Sequence, residues 1–230
     1  MDVNELLERY EATGDEDDFV AAKRLYEEAL AVAPDAELLR DYGYLLYCHG
    51  SRALGQAVEQ CERAIELDPH ADKAHYQLIV AKAALGQADE VVARYEGYVI
   101  ADPEDVRWHR LLASACLAAK EPARAAQAID AGLALAPDDR ALLGQRGEVK
   151  AALGDSDGAL ADWRRSLDPE AHDISGAYSS AFLLEREGRI DEAIEAWRYV
   201  LDYNEARGYA LQAEWPRREL TRLRGKLIPS

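Results

Sequence analysis

Long apolar runs are missing from this sequence. No stretch approaches 18 consecutive apolar residues, so no membrane-spanning helix is expected. Proline occurs only eight times in 230 residues, which leaves long segments free to be helical. β-Branched residues are sparse and no strand-like alternation of any length is present, which argues against a sheet protein. The three cysteines, Cys48, Cys61 and Cys116, are odd in number and fit no metal-ligand spacing. They read as reduced, mostly buried thiols and point to a cytoplasmic setting. Positive charge is short, with 27 Lys and Arg against 44 Asp and Glu and a net charge of −17. Phosphate contact needs a basic face, so nucleic acid is not the expected partner. The first segment, MDVNELLERYEATGDEDD, has no apolar core and is expected to be neither a secretory signal nor a transit peptide. No phosphate-cradling glycine loop, HExxH or CxxC motif occurs, so nothing proposes a reaction, a cofactor or a metal site.

What the chain does have is alanine, leucine, glutamate and arginine in abundance, which favours helix. Arginine outnumbers lysine, as in GC-rich bacterial genomes. The chain also repeats itself. KAALGQAD occupies residues 82–89 and KAALGDSD residues 150–157, a separation of twice 34. A period of this size marks a repeat architecture. Turn positions fall at Gly14, Gly50, Gly86, Lys120, Gly154 and Gly188. A small column follows at Ala22, Ala57, Val91, Ala125, Ala159 and Ala193. Four residues later comes a bulky column at Tyr26, Cys61, Tyr95, Ile129, Trp163 and Trp197. Prolines close units at Pro34, Pro69, Pro103 and Pro137, and Pro169 closes one two residues early.

Each column has a mechanical meaning. Glycine ends a first helix in the left-handed conformation. The small residue starts a second helix where two backbones approach, and the bulky residue fills the gap between helices. Proline stops the second helix. Gly43, Ala113, Gly147 and Ala181, seven residues before their turn positions, let the first helix lie close to a neighbour.

At this point the chain resembles the tetratricopeptide repeat (TPR) family, over about residues 3–203. The resemblance implies an all-α, right-handed superhelical solenoid of about six helix–turn–helix units. The units span about residues 1–35, 36–71, 72–105, 106–139, 140–171 and 172–204 of a single domain, with a C-terminal cap over 205–230. In that cap Pro216 is expected in the first turn of a helix. Leu220, Leu223 and Leu227 form its apolar stripe, amid Arg217, Arg218, Arg222 and Arg224. There are departures: the turns after Gly14 and Gly50 are longer, Lys120 stands at a glycine position, Gly132 sits where the family prefers alanine, and Glu205 replaces the last proline.

The resemblance also implies a concave groove lined by the first helices. Its positions carry Arg40, Tyr44 and Tyr47, then Lys73 and Tyr76, then Arg107 and Arg110, and further along Tyr178 and Phe182. Among the groove columns of units two to four the four bases face one acid, Glu37. Such a wall suits an acidic peptide or a free carboxyl terminus, because arginine gives carboxylates charge-assisted bonds and tyrosine adds contact area. The family's carboxylate clamp for chaperone tails is not matched: the nearest register offers Arg40, Tyr44, Gln77, Arg107 and Leu111, without either asparagine.

The expected function is therefore a non-catalytic adaptor for a partner protein, with no membrane or nucleic-acid role. A second reading is weak self-assembly, since residues 1–18 carry eight acids and one base while residues 207–230 carry six bases and two acids, and a third is a regulatory subunit of an enzyme. Three local patterns have plainer explanations than chemistry. Gly154-Asp-Ser-Asp-Gly158 matches G-x-S-x-G, but a helix rather than a strand precedes it, so Ser156 is read as a turn residue. Asp15–Asp18 read as a helix start rather than a calcium loop. His75 and His109 share a column and read as buried, hydrogen-bonded side chains.

Overall fold

The computed structural model describes residues 6, 9–11, 13–49, 53–170 and 173–226. The expected turn at Gly50 and the stripe residue Leu227 lie outside the described residues, as does much of the acidic leading segment. Among the described residues the structure is helical, apart from turns and one isolated antiparallel bridge between Asp168 and Asp173. The chain forms two compact units, residues 1–125 and 126–230.

In the first unit the helices are α1 (Glu16–Val32), α2 (Ala36–His49), α3 (Leu54–Leu67), α4 (Asp72–Ala84), α5 (Ala88–Ala101) and α6 (Val106–Ala118). Helix α7 (Pro122–Leu135) carries the boundary. The second unit continues with α8 (Arg140–Ala152), α9 (Ser156–Ser166), α10 (Ser175–Arg186), α11 (Ile190–Ala206) and α12 (Ala210–Lys226).

Helix starts follow the acids. Asp15 caps α1 by accepting the Asp17 N–H at 2.8 Å, and Glu16, Asp17 and Asp18 fill the first turn, where the helix dipole favours negative charge. Asp105 and Asp139 cap α6 and α8 in the same way. The Asp15–Asp18 run is thus a helix start. Asp18 is itself buried and paired with Arg9 at 3.0 Å.

The columns read from the sequence form the interior. All six small residues and all six bulky ones are buried. In the first unit Phe19, Ala22 and Tyr26 of α1 pack with Tyr42, Leu45 and Leu46 of α2 and with Leu54 and Ala57 of α3. Beside them Leu39, Cys61, Ala64, Ile65, Ala74 and Leu78 form a second cluster. The second unit buries Trp163 against Ala159 and Leu183, and gathers Ala181, Leu184, Ala193, Trp197, Val200, Leu220 and Leu223 into its largest cluster. Close approach is literal at Gly147: a Cβ there would lie 2.5 Å from the Trp163 ring.

The hairpin turns share one design. At Gly86 and Gly154 φ is +76° and +87°, a region that costs other residues about 1–2 kcal/mol. The next residue's N–H then reaches back to close the helix, Gln87 to Lys82 and Asp155 to Lys150, both at 2.9 Å. Lys120 makes the same turn without being glycine, at φ +61°, with Glu121 N–H bonded to the Cys116 carbonyl.

The C-terminal end departs from expectation twice. With Glu205 in place of a proline, α11 runs on to Ala206 and ends at Gly208, φ +74°. Pro216 is not in a first turn but is the seventh residue of α12, inside the helix. Its ring forfeits the bond to the Gln212 carbonyl, and the buried Asn204 side chain donates to that oxygen instead, at 3.3 Å.

Candidate peptide-binding groove

In the first unit the first helices of successive hairpins, α2, α4 and α6, pack against one another and carry the groove positions. Arg40 is largely covered, with 17% of its side chain exposed. Its Nε donates to Asp41 Oδ1 at 2.7 Å and its Nη2 to Glu37 Oε1 at 3.1 Å. Arg107 is covered further, to 12%; its Nη2 donates to Asp105 Oδ2 at 2.8 Å, its Nη1 meets His70 Nδ1, and its guanidinium lies 4.2 Å from the Trp108 ring centroid. Arg110 Nη2 reaches Asp72 Oδ2 at 3.2 Å. Lys73 differs from all three. It is exposed and makes no ion pair among the described residues. A cleft of about 320 Å³ brings Arg40 and Lys73 together, lined also by Ala36, Glu37, Asp68, Ala71 and Asp72.

The groove columns show one acid for four bases, but the folded chain adds Asp41, Asp72 and Asp105. Asp72 and Asp105 belong to helix starts, where an acid is expected for capping or dipole reasons. Their neighbourhood to the groove bases could have been read from that rule. The tyrosines are half-buried rather than fully presented. Tyr47 packs against the core, and burial, with Cys48 and Glu11 nearby, pushes the Tyr44 phenol well above its usual range. Tyr76 is half-buried.

Tyr178 and Phe182 lie in the second unit, in a cluster absent from the sequence reading. Trp215 of α12 stacks on Tyr178 (centroids 6.0 Å, 22°) and lies 5.5 Å from Phe182, while Phe182 sets its edge against Trp197 at 5.2 Å. Tyr178 Oη accepts from Asn204 Nδ2 at 3.3 Å. Phe182 remains 47% exposed.

The residues that resembled chemistry are engaged structurally. The His75 Nε2–H donates to the Pro69 carbonyl at 3.2 Å, and Nδ1 lies 3.0 Å from the Tyr95 hydroxyl. His109 Nε2 repeats the first bond to Pro103, six residues back, at 2.8 Å. These two histidines tie α4 and α6 to the proline turns before them. In the GDSDG stretch, Gly154 supplies the left-handed turn and Gly158 leaves room for the Asp155 carboxylate that caps α9, 3.0 Å from the Gly158 nitrogen. Ser156 opens that helix and bonds to Glu187. Three basic residues of α12 find acids inside the second unit: Arg217 with Glu205 at 2.7 Å, Arg218 with Glu214 at 3.4 Å, and Arg222 with Glu185 and Glu219. Among the described residues no helix is long and apolar enough to cross a membrane.

Stacked helical hairpins whose first helices present one face define a helical-repeat protein of the solenoid class. Sequence models described as Tetratricopeptide repeat match residues 14–72 and 50–115. Residues 14–115 are therefore built of tetratricopeptide repeats. Similar solved structures agree. A thermophilic TPR protein of Thermus thermophilus shares 22% identity over 78% of this chain and 96% of that one, with a TM-score of 0.58. A tetratricopeptide repeat protein from Parabacteroides merdae shares 15% identity over 96% and 93%, with a TM-score of 0.51. At such identities the likeness is one of fold. No curated protein matches the sequence.

Proposed function

We propose that the chain is a non-catalytic adaptor that holds an acidic peptide segment or C-terminus of a partner protein against the α2–α4–α6 face. The tetratricopeptide fold is that of a protein–protein interaction scaffold. The observation that carries the acidic preference is Lys73, an exposed cation with no ion-pair partner among the described residues, set in one cleft with Arg40. The three arginines support it. Their own acids hold each guanidinium in place on that face. An incoming carboxylate would meet oriented donors at Arg40, Arg107 and Arg110, with Tyr44, Tyr47 and Tyr76 beside them. The buried thiols Cys61 and Cys116 suit a reducing, cytoplasmic setting.

Lys73→Glu is the clean test, because no internal ion pair is lost. A fluorescent acidic peptide with a free C-terminus should bind the wild type, weaken with salt, and lose about tenfold or more in affinity on charge reversal. Arg107→Glu with Arg110→Glu should lose binding as well, with helicity checked by circular dichroism. An unchanged affinity in Lys73→Glu rejects the acidic preference. An amidated copy of the peptide separates recognition of the terminus from recognition of the side chains.

A further inference from the structure

The second unit has a cleft of the opposite character. Residues Glu148, Ala151 and Ala152 of α8 and Ser179, Phe182, Leu183 and Arg186 of α10 line a space of about 430 Å³, with Trp163 of α9 also lining it. The walls are mostly apolar. Ala151 and Ala152 leave room opposite Phe182, whose ring is half exposed. Glu148 and Phe182 occupy the same register, six residues before the turn glycines Gly154 and Gly188. Arg186 sits one helical turn further along, at the register of Ala152. The cleft is therefore anionic at one level and cationic at the next.

Glu148 stands apart from other carboxylates near it. Asp162 holds Arg146 and Lys150, both at 2.7 Å, and Glu185 holds Arg222 and the Trp197 indole N–H. Glu148 has no ion pair or hydrogen bond among the described residues. Its surface is open to solvent, but the surrounding walls strip part of its hydration and raise its carboxyl above the ordinary range. A partly desolvated carboxylate with no counter-ion among the described residues, beside an exposed aromatic face, is complementary to a cation on an apolar stem.

We propose that this cleft is a subsite for a lysine side chain of a partner peptide, its ammonium paired with Glu148 beside the face of Phe182. Its methylenes lie along Ala151, Ala152 and Leu183. Arg186 repels the ammonium from the other end and so sets the direction of entry. The subsite is independent of the acidic-peptide reading of the first unit: it uses other residues and the opposite charge.

The test uses the full chain and three capped pentapeptides, Ala-Leu-Lys-Leu-Ala and its norleucine and glutamate analogues, titrated by NMR or calorimetry. The lysine peptide should bind about three- to tenfold more tightly than the norleucine peptide, with the glutamate peptide weakest. Glu148→Gln should abolish the preference, Phe182→Leu should reduce it while keeping norleucine binding, and Lys73→Glu should leave it unchanged. Circular dichroism and thermal melts confirm that each variant folds. No binding of the lysine peptide, no preference in the wild type, or a preference that survives Glu148→Gln each overturns the proposal.

Discussion

The side-chain amide of Asn204 lies 3.3 Å from the carbonyl oxygen of Gln212, the oxygen that Pro216 leaves without a backbone donor four residues on. The same nitrogen lies 3.3 Å from the Tyr178 hydroxyl. One buried amide thus joins α11, α12 and α10, and makes a proline tolerable inside a helix. Removing it strands two acceptors. Asn204→Ala should cost about 2–3 kcal/mol. In a Pro216→Ala background residue 216 regains an N–H for Gln212, so the same change should cost about 1 kcal/mol less. A double-mutant cycle by urea denaturation measures the difference, and strict additivity would count against the link.

Lys120 holds a left-handed turn that its counterparts give to glycine. Lys120→Gly should relieve the Cβ strain, offset in part by the greater freedom of the unfolded chain, for a net gain of about 0.5–1 kcal/mol. Gly154→Ala, at φ +87°, should move stability the other way by about 1–2 kcal/mol. Thermal melts of the two variants should therefore shift in opposite directions.

His75 makes stability depend on pH. Burial is the largest cause lowering its pKa; Arg94 and Arg107 add to it, and the Pro69 carbonyl and Asp72 oppose it. The folded state needs the neutral ring, since Nε2–H serves Pro69 and Nδ1 accepts from Tyr95. Below about pH 6.5 the unfolded chain takes up a proton that the folded chain resists, so the unfolded state binds more protons and stability falls with pH. The slope from this group is at most about 1.4 kcal/mol per pH unit and levels off below the folded pKa. His75→Gln keeps a donor for Pro69 and cannot titrate. Urea midpoints from about pH 7.5 to about pH 5.5 should fall less steeply in this variant than in the wild type.

Much of the fold was legible because a hairpin repeat stacks neighbours that are close in sequence. Ala22, Ala57 and Trp163 are buried for reasons that a period and a residue size state in advance. The groove was less legible. A column of bases says nothing of acids one residue away, and Asp41 is one such neighbour of Arg40. The C-terminal end followed no column at all. Where Glu205 stood for proline, nothing in the period said that α11 would continue to Ala206, that Asn204 would rescue a carbonyl, or that Trp215 would lie on Tyr178. Those depend on side chains reaching between helices.

Gly147 and Trp163 test how tightly the repeat is packed. The Trp163 indole N–H donates to the Gly144 carbonyl at 3.1 Å, which draws its ring over Gly147. A methyl group at Gly147 would sit 2.5 Å from Cδ1 and Nε1 of that ring. The equivalent pair in the next hairpin, Ala181 and Trp197, accommodates a methyl because the Trp197 N–H is turned instead to Glu185, at 2.6 Å. Gly147→Ala should therefore force the Trp163 ring off its hydrogen bond and cost about 1–3 kcal/mol despite alanine's better helix propensity. Ala181→Gly, by contrast, should cost only about 1 kcal/mol, the ordinary helical difference plus a lost methyl contact. If Gly147→Ala instead raised the melting temperature, as at an uncrowded helical glycine, the close approach of α8 to Trp163 would be wrong. Tryptophan fluorescence on Gly147→Ala should show a changed environment for the displaced indole, and Trp163→Phe combined with it should recover most of the loss, since the smaller ring leaves the methyl its space.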